Sequence, residues 1–323
     1  MSIRPSRGLF AVALTAAMTL AAVAPAQADV REQANPPAWG LDRIDQAKGV
    51  DSAYHYETRA ENVTVYIIDS GVDATIADFG GRVEQGKDFL KKDSVDTADT
   101  NGHGTQLAGV VGGKSYGVAK GAAIVPVRVI GADGTGLTEN LLAGIDWTAK
   151  NAKQPAVALL GIAGVPNDAL DAAVKRLAEV MPVVVPAGGD SADVAGLSPA
   201  RVPEVLTVGS SDKQDRVSAT SDFGPGLDLY APGVDIAAPR KGGQVAGSIT
   251  GTSIAAAHVA GAAALYRSLN PEKKPAEVAQ GLVDNATKNA LSGVPEGTAN
   301  RLLYTLTPVQ APDPGPVPPL PTH

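Results

Sequence analysis

A doubly wound, mostly parallel α/β sheet flanked by helices on both faces is the fold class this sequence predicts. Three observations predict it. Short β-rich runs are apolar without strict alternation, as in strands covered on both faces. Stretches with helical spacing fall between those runs, so strand and helix alternate along the chain. One further helical stretch is apolar on nearly all sides, which suits a helix buried through the middle of a large domain.

In chain order, residues 1–28 read as a secretory signal peptide. Arg4 and Arg7 give a positive start, an apolar run follows, and Ala26-Gln27-Ala28 is a small-x-small cleavage site. The run is too short for a membrane anchor. Residues 29–306 read as one domain whose packed part begins near Ala34. The first strand, 63–68, leads straight into Asp69. A helix at 106–112 and a strand at 123–130 follow, then a helix at 138–150 and a strand at 157–162. A helix at 168–180 precedes strands at 181–185 and 205–208. Helices at 253–267 and 275–286 close the pattern. Residues 307–323 hold seven prolines and read as an extended, disordered, solvated tail.

Composition narrows the function. Loss of Arg4 and Arg7 with the signal peptide takes the formal charge from −7 to −9. An acidic surface argues against nucleic acid or anionic lipid as a partner. There is no cysteine, which excludes thiol catalysis and cysteine-based zinc sites. An exported chain without disulfides depends on core size or a bound ion for its stability.

Three short segments carry chemistry: Asp69-Ser70-Gly71, Asn101-Gly102-His103-Gly104-Thr105 and Gly251-Thr252-Ser253. A serine hydroxyl is a weak nucleophile and needs an adjacent base. Of the four histidines, His323 lies in the tail, His258 inside the apolar helix and His55 in a surface-type aromatic patch, Tyr54-His55-Tyr56. His103, between two glycines just ahead of a helical run, is the candidate base. Asp69, at the carboxyl end of its strand, is the candidate for orienting the ring. Ser253 starts a helix, where free N–H groups and the positive dipole end favour a negative oxygen.

In this order the segments resemble the subtilisin-like serine protease family, in its proteinase K and aqualysin branch. The resemblance is carried by WGLDRID, VTVYIIDSGVD, NGHGTQLAGVVGG, YGVAKGAAIVPVRV, LAGIDW, LTVGSSD, LYAPG and GTSIAAAHVAG, and it runs from about residue 37 to 305. It implies a secreted, monomeric serine endopeptidase acting on peptide or protein substrates, with Asp69, His103 and Ser253 as the catalytic triad and no organic cofactor. It further implies that Gly134, Thr135 and Gly136 pair with substrate backbone, that Ala163 and Gly164 wall the specificity pocket, and that Pro203, Val205 and Asp228 hold a structural calcium ion.

The chain also departs from that family. The family's oxyanion-binding asparagine falls at Gly189, in Pro186-Ala187-Gly188-Gly189-Asp190. Loss of one such donor lowers turnover about 100- to 1000-fold, a magnitude carried over from a subtilisin. Ala163 adds a methyl where the pocket wall is usually glycine, and Gln106 stands for a second histidine. The family's long propeptide has only residues 29–35 as its counterpart ahead of the protease-like start. An intact triad with these departures leaves two functional classes open. One is a slow serine endopeptidase. The other is a catalytically impaired pseudoprotease that holds peptides without cleaving them. Ester or acyl transfer is a third, weaker reading.

Overall fold

Apolar β-rich residues pair where their pattern predicts, and the additions lie at the edges. The computed structural model describes Met1 and residues 30–306. The signal-peptide and proline-rich-tail readings therefore fall outside the described residues. A hairpin joins β1 (Arg31–Ala34) to β2 (Ala53–Tyr56), with the short α1 (Trp39–Ile44) between them. Backbone pairing thus begins at Arg31, in a strand that is largely exposed.

The body of the domain follows. β3 (Thr64–Asp69) and the two-residue β4 (Lys87–Asp88) precede α2 (His103–Gly112) and β5 (Ala123–Arg128). Then come α3 (Thr138–Asn151), β6 (Ala156–Leu160), α4 (Asp168–Ala178), β7 (Val183–Pro186) and β8 (Leu206–Ser211). β9 (Leu229–Pro232) leads to a hairpin of β10 (Ile236–Pro239) and β11 (Val245–Ile249). The chain closes with α5 (Thr252–Leu269), α6 (Pro275–Asn285), β12 (Thr287–Lys288) and β13 (Arg301–Leu302).

Nine strands form one sheet in the order β12-β13-β9-β8-β7-β6-β3-β5-β4, parallel except for the β12–β13 pair. Beyond β3 the chain builds outward through β4 and β5. It then crosses back to lay β6, β7, β8 and β9 on the other side of β3. β3 is therefore the switch point of the sheet, and ligand sites of such sheets lie at the carboxyl ends of the strands there. Residues of β3 alternate between two cores. Val65 and Ile67 pack with α2 and α5, whereas Tyr66 and Ile68 pack with α3 and α4. Helices on both faces explain why the strand sequences are apolar throughout.

α5 buries 14 of its 18 residues, with alanines at 255–257, 260 and 262–264 packed on every side. His258 lies wholly inside this helix, and its Nδ1–H donates to the Ile254 carbonyl at 3.0 Å. Burial pulls its imidazolium down to about 4, so it is a neutral core histidine. His55 is not a free surface residue: its Nδ1 is 2.8 Å from the buried carboxylate of Asp45. Among the described residues, no helix is long and apolar enough to cross a membrane.

Candidate active site

Three elements that are far apart in sequence converge at the carboxyl edge of the sheet. Asp69 is the last residue of β3 and is 1% exposed. His103 is the first residue of α2, not a loop residue ahead of a helix starting near 106 as the sequence predicts. The difference has a local cause. Gly102 takes φ 113°, a conformation that suits glycine, and turns the chain into the helix one turn early. Ser253 is the second residue of α5, whose first N–H groups have no acceptor within the helix.

The side chains form a line. Nδ1 of His103 is 2.9 Å from both carboxylate oxygens of Asp69. Nε2 of the same ring is 2.9 Å from Oγ of Ser253. An ionised carboxylate only accepts, so Nδ1 carries the proton and Nε2 is left to accept from the serine hydroxyl. About a third of the His103 side chain is exposed. Burial pulls its imidazolium down, but the charge of Asp69, the hydrogen bond to it and the charge of Asp99 hold it above the usual histidine value. Asp69 also accepts the Ser70 N–H at 2.8 Å, so its carboxylate cannot turn freely.

Two glycines make room for this line. A Cβ on Gly104 would lie 2.2 Å from the Gly71 carbonyl oxygen. A Cβ on Gly161 would lie 2.2 Å from Oδ2 of Asp69 and 2.5 Å from Cδ1 of Leu107. The end of β6 thus passes against the carboxylate with no space to spare. The sequence offers no signal for these clearances, because each depends on a neighbour distant in the chain.

The segment after β7 adjoins the serine. The Gly188 N–H donates to Oγ1 of Thr252 at 3.2 Å, and that hydroxyl donates to the Gly188 carbonyl at 3.1 Å. Gly189 follows at once and is exposed, and a Cβ there would meet no atom within 4 Å. The space beside Ser253 is thus open at Gly189. Asp190 is exposed, and its N–H is tied to Oδ1 of Asp222, which also accepts from Ala192. Asp222 is fully buried, and among the described residues its Oδ2 has no hydrogen-bond partner. Its support of this turn was not legible in the sequence.

The remaining predicted residues flank the same edge. Gly134, Thr135 and Gly136 are exposed and follow a tight turn after β5; the Thr135 carbonyl accepts from Gly131 at 2.7 Å. Asn101, two residues before His103, donates to the Ala132 carbonyl and places this turn beside the histidine. Ala163 and Gly164 follow β6 on the other side of β3 and are exposed. Gly164 already exchanges both backbone hydrogen bonds with Ser198, so its N–H and carbonyl are committed.

Pro203, Val205 and Asp228 lie apart from this edge and share the lining of a cavity of about 540 Å³ with Lys175, Glu204 and Lys274. Oδ2 of Asp228 accepts the Thr207 N–H at 2.8 Å. Burial pushes its carboxyl up to about 6, against the pull of that bond and of Arg301. The Asp228 carboxylate, with the main-chain carbonyls of Pro203 and Val205 in the same cavity lining, is an oxygen-only set of the kind a hard cation such as calcium takes. Among the described residues no three histidine, aspartate or glutamate side chains gather for a metal, so such an ion would rely on those carbonyls.

Comparison with known proteins adds an independent line. A model of the subtilase family matches residues 60–301. The chain is 41% identical over 288 residues to alkaline serine exoprotease A of Vibrio alginolyticus, covering 87% of this chain and 53% of that protein. It is 40% identical over 274 residues to an extracellular serine proteinase of Thermus sp. (strain Rt41A), covering 84% and 67%. The chain thus spans about half the length of the first relative and about two thirds of the second. A crystal structure of a cold adapted subtilisin-like serine proteinase superposes with a TM-score of 0.81 at 42% identity, over 83% of this chain and 98% of that one.

Proposed function

The chain belongs to the subtilase family, and we propose that it is a secreted serine endopeptidase that hydrolyses peptide bonds with Asp69, His103 and Ser253. The observation that carries this reading is the unbroken line of 2.9 Å contacts from Asp69 through His103 to Ser253. In the proposed reaction, Oγ of Ser253 attacks the scissile carbonyl carbon as its proton passes to Nε2 of His103. Asp69 holds the ring and offsets the imidazolium charge. The tetrahedral intermediate collapses when His103 returns the proton to the leaving amine. Water, deprotonated by the same nitrogen, then releases the acyl group from Ser253. The developing oxyanion faces the free N–H of Ser253 at the start of α5, but Gly189 contributes no side-chain donor.

A second reading, a pseudoprotease that holds peptides without turnover, is favoured by one observation: the open space at Gly189 beside the serine. A fluorophosphonate probe on the whole chain separates the two. The expected result is covalent labelling that Ser253→Ala abolishes, together with turnover of an unstructured peptide. Labelling falls as the pH drops through the His103 pKa, because the protonated ring cannot accept. Since that pKa is held above the usual value, the acid limb lies above that of an ordinary histidine. A folded protein that the probe does not label leaves only the binding role.

Pro203, Val205 and Asp228 are proposed to hold a structural calcium ion, which when bound ties the Pro203–Val205 loop to the Asp228 turn. Calcium binding requires the carboxylate form, and the Asp228 carboxyl titrates at about 6. Thermal melting at pH 7.5 should therefore rise with calcium over chelator, and the difference should shrink as the pH is lowered through 6. A midpoint indifferent to calcium at pH 7.5 eliminates the site.

A further inference from the structure

We propose that Asp99 is a positioning residue for this reaction: its buried carboxylate clamps the end of β3, which bears Asp69, to the start of α2, which bears His103. The proposal rests on the reading of Asp69, His103 and Ser253 given above.

Asp99 is 4% exposed, and its hydrogen bonds run to residues on either side of His103 rather than to the ring or to Ser253. Its two oxygens accept five hydrogen bonds from both sides of the site. Oδ1 accepts from Oγ of Ser70 at 2.9 Å, from the Asn101 N–H at 2.9 Å and from the Gly102 N–H at 2.8 Å. Oδ2 accepts from the N–H and the hydroxyl of Thr105 at 2.9 and 2.5 Å. Ser70 is the residue after Asp69, while Gly102 and Thr105 bracket His103. The clamp is closed by further bonds. Oγ of Ser70 accepts the Gly104 N–H at 3.0 Å, and Oγ1 of Thr105 accepts the Asp73 N–H at 3.0 Å.

A carboxylate is suited to this place because it offers acceptors only. All five partners are N–H or O–H donors, and an amide in its place would turn a donor toward at least one of them. Three of the bonds satisfy N–H groups at or near the start of α2, and side chains of Asn101 and Ser70 accept the next two, from His103 and Gly104. The result is that the separation between Asp69 and the imidazole is set by one rigid unit rather than by two independent loops. Errors of an ångström in such separations lower rates about 100-fold. Asp99 also adds negative charge near the ring. The charges acting on His103 are those of Asp69 and Asp99, and both favour the imidazolium that forms during the reaction.

Asp99→Asn tests the proposal. Two readouts are taken on the whole chain: the rate of fluorophosphonate labelling against pH, and the titration of the His103 ring by NMR, assigned by its loss in His103→Ala. The expected result is labelling slower by about 10- to 100-fold, with both the acid limb and the His103 titration moved to lower pH. A purely structural loss slows labelling without moving either. Asp42→Asn is the control: Asp42 is a buried carboxylate that holds the Asp51 and Ser52 N–H groups away from the site, and its variant should titrate like the wild type. A folded Asp99→Asn with wild-type labelling and an unmoved His103 titration overturns the proposal. If the wild type itself resists the probe, the endopeptidase reading fails, and the His103 titration in Asp99→Asn still decides the role of Asp99. If Asp99→Asn does not fold, Ser70→Ala cuts one strut and keeps the charge. It should slow labelling about 3- to 10-fold, and a wild-type rate there overturns the clamp.

Discussion

Gly189→Asn should raise kcat by about 100- to 1000-fold, or 3–4 kcal/mol in the barrier, with little change in KM. The magnitude is that of restoring one side-chain donor to the oxyanion, carried over from a subtilisin. The structure provides the conditions for the gain. Gly188 is clasped by Thr252, the residue before Ser253, so position 189 is held beside the nucleophile. The glycine does not occupy the left-handed region, and a side chain there meets nothing within 4 Å. An asparagine therefore enters without strain and with room to turn its amide toward the serine. The effect belongs in kcat because the donor acts on charge that exists only in the transition state. Steady-state kinetics on one peptide substrate suffices. A variant that folds and turns over no faster than the wild type shows that the oxyanion forms elsewhere.

Gly161→Ala should have the opposite effect and act from the other side of Asp69. The added methyl would sit 2.2 Å from Oδ2 of Asp69 and 2.5 Å from Leu107. Asp69 cannot yield easily, since its oxygens are held by Ser70 and His103. Either the end of β6 shifts or the carboxylate turns away and releases the imidazole. Loss of that orientation is expected to lower kcat by about 100- to 10,000-fold, and overpacking to lower stability by about 1–3 kcal/mol. Circular dichroism establishes that the variant is folded, and kcat is then compared. Activity within threefold of wild type would mean that this edge of the site is softer than its packing indicates.

Much of this arrangement was legible in residues alone. The apolar runs ending at Asp69 and Val185 announced buried parallel strands, because no face of them had to meet water. The alanine-rich stretch after Ser253 announced a helix enclosed on all sides. Edges were less legible. β9 is four residues long, and Asp228 and Pro232 interrupt its pattern; its strand character comes from its neighbours β8 and β13. Arg31–Ala34 is polar and becomes a strand only by pairing with β2. At the site, residue types with reactive groups were readable and their supports were not. Asp99 lies in a stretch, Thr97-Ala98-Asp99-Thr100-Asn101, that reads as an ordinary turn, yet its carboxylate collects five donors from three places in the chain. Asp222 and Gly161 act through residues tens of positions away, a relation that periodicity and local propensity do not encode.

The placement of the serine and of Gly189 bears on how such a protein changes over generations. Ser253 is carried by a long helix buried through the core, and Asp69 and His103 by elements locked to it there. A substitution that moves these elements disturbs the core, so selection for a folded chain guards their placement, though not the reacting side chains themselves. Gly189 hangs on a surface turn where a side chain can appear or vanish without the core registering it. Attack machinery and charge stabilisation are thus inherited under different constraints. On the proposed reading, a lineage of this fold could mute its chemistry in one step while keeping every reacting group in place, and could regain it as simply.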